Sequence, residues 1–142
     1  MIWPKKYSLN EINEFNKNCL VDHLEIQISA IDSSGLEATM PVKTFNQQPF
    51  GLLHGGASCS LAETLGSIAA NLVLLGQDQV AVGQSLTANY LKPATNGIVT
   101  GRTEPIHIGK KSQVWSIEIK DENERLLSNF TLTVAIIPHL TL

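Results

Sequence analysis

Glu63 is the only charged residue in the apolar run 57–75. A lone carboxylate among Leu61, Ala62, Leu65 and Ile68 is costly to bury ionised unless it is partnered. Two readings follow. Either Glu63 lies at a helix end or surface and is simply solvated, or it acts, as a general base or as a nucleophile toward an electrophilic carbon. Ser67 comes four residues later, on the same face of a helix. Its hydroxyl would steady the carboxylate or a water beside it, or would merely be a small group that permits close packing. Upstream, His54-Gly55-Gly56 stands where a helix should begin. The first N–H groups of a helix lack acceptors and sit at the positive end of its dipole. Glycine lets a ligand approach that backbone closely. Such a terminus can polarise a carbonyl and stabilise an oxyanion, though it is equally the form of an ordinary helix start capped by His54.

Three neighbouring patterns fail on chemistry. The stretch 51–58 has P-loop-like spacing but lacks the lysine, so it should not cradle phosphates in that way. Gly56-Ala57-Ser58-Cys59-Ser60 resembles a nucleophile elbow without its final glycine, and no βα repeat precedes it. His23, His54, His107 and His139 are scattered, with no H-x-x-x-H and no local carboxylate pair, so no metal site is expected.

The balance of the chain narrows the partners. It has 142 residues, 43% hydrophobic and 16% charged, with a net charge of -3. That length suits one domain spanning 1–142, and it can bury about 68% of its unfolded surface without disulfides or metal. The acidic balance gives no general attraction to nucleic acid or to an anionic membrane. An anion would need a local patch. Gly109-Lys110-Lys111 with Lys92 is the candidate, although a lysine pair is commonly just a solvated surface. Cys19 and Cys59 form no C-x-x-C, which fits a reducing, cytoplasmic setting. No apolar stretch backs Lys5 and Lys6, so no secretory leader is expected. The stretch 45–75 is too polar and too interrupted to be expected to span a membrane.

The elements that must position these residues are legible from periodicity. Ser8 and Glu11 form a capping box for a short helix to about Asn18. Leu24, Ile26, Ile28 and Ala30 alternate with polar residues, as do Leu36, Ala38, Met40 and Val42 after a turn at Ser33-Ser34-Gly35. This predicts a hairpin with one buried face. Residues 43–56 read as a loop. Residues 57–75 read as one long helix, closed by Gly76 and buried nearly all round. The stretches 80–91, 97–109, 112–121 and 126–137 read as strands, with Pro105 marking a bulge or a sheet edge. The expected class is α+β: an antiparallel sheet of about six strands wrapped round one long central helix, the hotdog arrangement.

The run Gln48-Pro49-Phe50-Gly51-Leu52-Leu53-His54-Gly55-Gly56-Ala57-Ser58, followed by Leu61-Ala62-Glu63-Thr64-Leu65-Gly66-Ser67, resembles the hotdog-fold acyl-CoA thioesterases. The similar branch includes the phenylacetate-pathway, 4-hydroxybenzoyl-CoA and 1,4-dihydroxy-2-naphthoyl-CoA enzymes. Met1-Ile2-Trp3, Leu36-Glu37-Ala38-Thr39-Met40-Pro41-Val42 and Gln113-Val114-Trp115-Ser116-Ile117-Glu118-Ile119 resemble the naphthoyl-CoA enzyme of menaquinone synthesis, so the likeness covers essentially the whole chain. The combined Gln…His-Gly-Gly…Glu spacing is specific, while each piece alone is not. One departure is Tyr90, where that branch tends to carry histidine. This bears on the acyl group accepted, not on the reaction.

The resemblance implies hydrolysis of an acyl-CoA, with an aromatic acyl group foremost and no cofactor. It implies Glu63 as the catalytic carboxylate, the Gly55 N–H as carbonyl polariser, Gln48 and His54 as positioning groups for the thioester and its leaving thiolate, and Ser67 as the residue that orients water or carboxylate. Phe50 and Tyr90 would line the substrate site, and Lys92, Gly109, Lys110 and Lys111 would meet the CoA phosphates. It also implies a homodimer with shared active sites, paired further into a tetramer. Gly55 and Glu63 are eight residues apart, or about 12 Å of helix, too far for both to reach one carbonyl within a chain. Two alternatives remain on the same fold. A 3-hydroxyacyl-thioester dehydratase would use His54 with Glu63 as its acid–base pair. A non-catalytic acyl-CoA-binding module would need the patch and pocket but not Glu63.

Overall fold

The computed structural model describes residues 1–139. Six strands and one long helix dominate it. The strands are β1 (Gln27–Ile31), β2 (Leu36–Pro41), β3 (Gln79–Tyr90), β4 (Ile98–Ile108), β5 (Ser112–Lys120) and β6 (Leu126–Pro138). They form one sheet in the order β1-β2-β4-β5-β6-β3, antiparallel at every step. Helices α1 (Leu9–Phe15) and α2 (Leu20–His23) precede the sheet, and α3 (Gly55–Leu74) packs against strands β2 to β6. This is the expected hotdog arrangement.

The helix is held against the sheet by apolar burial. Leu61, Leu65, Ala69 and Ala70 are fully covered, as are Val99, Trp115, Ile119, Leu132 and Val134 opposite them. Each buried leucine contributes roughly 1.5–3 kcal/mol. Gly66 lets the two layers touch: a Cβ there would come 2.5 Å from a Leu132 methyl. By length and composition α3 could cross a bilayer, but half of that window is buried within the fold.

The helix boundaries differ from the sequence expectation. His54, with an extended backbone, is the N-cap, so α3 begins at Gly55 rather than residue 57. Its burial is one-sided: Glu63, Thr64, Ser67, Ile68 and Asn71 are only half-buried, because the sheet covers a stripe and leaves the rest of the circumference partly open. Helix α1 stops at Phe15 rather than Asn18, and Asn18 adopts a left-handed φ of 58°. A single turn, α2, follows that periodicity could not reveal. Ser8 and Glu11 do form the capping box. Pro105 marks a register shift, but β4 is an interior strand, so it signals a bulge and not an edge. Strand β1 also begins later than the alternation suggested, and a register shift between Ile28 and Ala30 interrupts it.

Polar clamps fix the pieces that matter for the site. The Asn71 side chain bonds both backbone groups of Ala81, at 3.0 Å each, which ties β3 to the last turns of α3. Asn13 does the same for Ile28, joining α1 to β1. At the hairpin turn Asp32 accepts the Ser34 N–H and pairs with Arg102 at 2.8 Å, and these bonds hold its carboxyl down at about 2. Strand β3 is an edge for its whole length, and Val82, Gly83, Gln84 and Ser85 are exposed along it. A long unpaired edge is a template for pairing with another chain.

Candidate active site

The start of α3 is internally well tied. The His54 Nδ1 atom accepts the Gly56 N–H at 2.8 Å, so in the neutral ring Nε2 carries the proton. The His54 carbonyl accepts from Ala57 and Ser58. Among the described residues the Gly55 N–H has no acceptor. It is the free donor of the first turn, at the positive end of the helix dipole.

Tyr90, at the end of β3, lies over this turn. Its hydroxyl donates to the Gly55 carbonyl at 3.1 Å and meets the Cys59 sulfur at 2.9 Å. The ring is so close that a Cβ on Gly55 would sit 3.1 Å from it. It also packs edge-on against Phe130. The Cys59 contact, reinforced by burial, pushes the Tyr90 hydroxyl up to about 12, so it is a neutral donor at physiological pH.

Gln48 starts a tight turn closed by the Gly51 N–H at 2.9 Å, with Gly51 at φ 78°. Its side-chain oxygen accepts the Phe50 N–H. Gln48, Gly55, Ser58, Tyr90, Lys92 and Ser128 line one cleft of about 400 Å³. Phe50 stands outside it at the loop tip, 90% exposed. His54 lines a separate, smaller pocket together with Leu24 and Phe45.

Glu63 lies apart from that cleft. It is half-buried two turns further along α3. Ser67 donates to its Oε1 atom at 3.0 Å, so the serine holds the carboxylate. The same oxygen lies against Gly83 on β3, where an added Cβ would come within 2.5 Å. The β3–β6 register shifts between Gly83 and Ser85, so a bulge at the exposed edge faces the carboxylate. On the neighbouring surface, Tyr7, Ile12, Phe15, Ser67 and Ile68 line a mainly apolar groove of about 490 Å³ between α1 and α3.

The lysines are also divided. The Lys92 N–H bonds Leu127 at one end of β6, whereas Lys111 accepts from Ile136 at the other. Nine positions of strand separate them, roughly 30 Å. Gly109 closes the second turn by donating to Ser112. A single chain therefore brings Gln48, Gly55, Tyr90 and Lys92 to one end, and Glu63 with Ser67 to mid-helix. Lys110 and Lys111 lie at the far end. Among the described residues no three His, Cys, Asp or Glu side chains converge as metal ligands.

Sequence reasoning passed over Ser58, Ser128 and the Cys59–Tyr90 contact. Of these, Ser128 had a signal. Ser128 interrupts an inward series otherwise made of Phe130, Leu132 and Val134. The last pairs residues 31 positions apart and needs the fold.

A family model described as the thioesterase superfamily matches residues 50–128. The 1,4-dihydroxy-2-naphthoyl-CoA hydrolase of Escherichia coli is 45% identical over 137 residues, covering 96% of this chain and 100% of that one. The proofreading thioesterase EntH of Cronobacter turicensis is 43% identical, covering 96% and 98%. Among solved structures, a thioesterase of Haemophilus influenzae superposes with a TM-score of 0.94 at 44% identity, over 99% of this chain and 97% of its own. A mutant thioesterase of Pseudomonas aeruginosa gives a TM-score of 0.95 at 37% identity, over 97% and 99%.

Proposed function

Because the chain belongs to the thioesterase superfamily and is a thioester hydrolase, we propose that its substrates are aromatic acyl-CoA thioesters, with 1,4-dihydroxy-2-naphthoyl-CoA the first to try. Glu63 is the observation that carries this reading. It is a carboxylate steadied by Ser67 in the middle of the core helix, next to an apolar groove able to take a ring. The naphthoyl-CoA hydrolase relative supports the acyl group and, with it, a place in menaquinone synthesis.

The chemistry follows from the parts. A thioester carbonyl is electrophilic, and a thiolate leaves readily. The Gly55 N–H donates to the carbonyl oxygen and stabilises the negative charge that grows there. The Glu63 carboxylate either attacks the carbon, forming an anhydride that water then splits, or takes a proton from the water that attacks. Both routes break the C–S bond, consume one water and release the acid and the CoA thiol. Gln48 and His54 position the thioester and its leaving thiolate. Tyr90 holds the Gly55 peptide in place, and Phe50 closes over the substrate. Lys92, Lys110 and Lys111 meet the phosphates of CoA.

In this reading the working unit is a dimer. Gly55 and Glu63 are about 12 Å apart along α3, and the cleft at Gly55 does not include Glu63. Two chains with antiparallel helices bring the Gly55 end of one to the Glu63 of its partner. The open β3 edge supports such pairing, and so does the division of lysines between opposite ends of the sheet. Pairs of dimers make a tetramer, and the two free cysteines suit a cytoplasmic enzyme.

The test is thiol release from a panel of aryl, hydroxyaryl and aliphatic CoA thioesters. Hydroxyaryl esters should have the highest kcat/KM. A preference for long aliphatic chains would overturn the proposed acyl group, and hydration of a crotonyl thioester would favour the dehydratase alternative.

A further inference from the structure

Along β6 the side chains at 128, 130, 132 and 134 face α3. Phe130, Leu132 and Val134 pack there as an apolar series, and Ser128 breaks it. Ser128 is 2% exposed, and its hydroxyl has no hydrogen-bond partner. Buried hydroxyls are ordinarily satisfied, and one left unpaired is unfavourable. This residue forms part of a cleft wall, where a ligand group would supply the missing partner. Ser128 pairs across the ladder with Tyr90 and lines the cleft that holds Gln48, Gly55 and Lys92. Ser58, one turn into α3 and 5% exposed, lines the same cleft from the helix side.

The contents of the cleft point to one occupant. Gly55 offers its N–H to a carbonyl, and Lys92 offers a charge at the exposed rim. Between the thioester and the phosphates of CoA runs the thiol arm, whose first polar group is an amide a few bonds from sulfur. That amide has both a donor and an acceptor, and a serine hydroxyl can serve either. The acyl group has the apolar groove beside Ser67 to occupy. We infer that Ser128, with Ser58 opposite, binds the amide of the thiol arm nearest the thioester. This rests on the reading of Gly55 as the carbonyl polariser. It makes Ser128 a substrate-binding residue that recognises the leaving group whatever the acyl group.

Three thioesters of one acyl group test it: the CoA ester, the N-acetylcysteamine ester, which keeps the amide without the nucleotide, and the S-propyl ester, which lacks both. Ser128→Ala should raise KM about 3- to 10-fold on the first two and leave the third unchanged, with kcat little altered. Its melting temperature should hold or rise, since the hydroxyl has no partner to lose. A loss equal on all three esters, or no loss on any, overturns the assignment. So does a loss that appears only when the acyl group carries a hydroxyl, which would move the contact to the acyl side. Calorimetric binding of CoA alone separates this inference from the hydrolase reading. If wild type released no thiol, the proposed substrates would fail, while weaker CoA binding by Ser128→Ala would still uphold the subsite. Equal CoA binding by the two proteins would overturn it.

Discussion

The two halves of α3 differ in how far one chain completes them. At its start, His54 caps the helix, Tyr90 ties the Gly55 carbonyl, and Gln48 fixes the preceding turn, all through bonds within the chain. Two turns later Glu63 has a single side-chain partner, Ser67, and faces a bulge on an edge strand. The first region is preorganised to receive charge. The second presents a charged group at an open edge. In the proposed site, the half built around Gly55 is tied within this chain, whereas the half built around Glu63 is the one for which the proposed dimer would supply a counterpart.

The largest expected effect is at Glu63. In Glu63→Gln the amide keeps the shape and the Ser67 contact but is neither base nor competent nucleophile. Turnover should fall at least about 10²-fold with the melting temperature nearly unchanged. Near wild-type thiol release would remove Glu63 from the reaction.

Its divided character is tested by mixing. His54→Ala and Glu63→Ala should each be nearly inactive. Unfolded and refolded together, random pairing makes about half the dimers mixed, each with one intact site, so roughly a quarter of wild-type activity should return. An inactive mixture containing verified heterodimers would mean that each chain carries its own complete site.

A smaller effect sharpens the Glu63 side. Gly83→Ala adds a Cβ within 2.5 Å of Oε1. The carboxylate can swing away, so the fold should survive, but kcat should drop about 10-fold through misplacement. An unaltered kcat would show that the carboxylate position seen beside Gly83 is not the reacting one.

The lysines should show less. Lys92→Ala, Lys110→Ala or Lys111→Ala should raise KM for CoA esters about 3- to 5-fold with little change in kcat, because phosphate contacts are remote from the reacting carbon. An equal rise for an ester without the nucleotide would count against a phosphate role.

The smallest effect is on stability in alkali. The Tyr90 hydroxyl is raised from 10.0 to about 12 in the folded chain. A raised value, caused by the Cys59 contact and by burial, means that the stability carried by the neutral hydroxyl is fully present below pH 10 and is lost as pH climbs toward about 12. Melting temperature should therefore fall more steeply over that window in wild type than in Tyr90→Phe. Parallel curves would deny the hydroxyl this role.

Much of the fold was legible because periodicity reports burial. The alternation of Trp115, Ile117 and Ile119 with Ser116, Glu118 and Lys120 matches the two faces of β5. The lone carboxylate on an apolar helix marked Glu63, and the spacing of four marked Ser67, whose bond to it the structure contains. Other features were hidden. The turn of α2 is too short to have a period. The one-sided burial of α3 depends on how far the sheet wraps, which no local pattern encodes.

The sequence by itself determined which residues could be chemically active and which elements carry them, since residue type and spacing along a helix or strand are local properties. Tertiary structure decided which of those residues meet. Strand order placed Lys92 and Lys111 at opposite ends of β6, laid Tyr90 over Gly55, left Ser128 unpaired in a cleft, and set Gly83 against Glu63 at an open edge. Such contacts join residues far apart in the chain, and only the packing of sheet on helix fixes them.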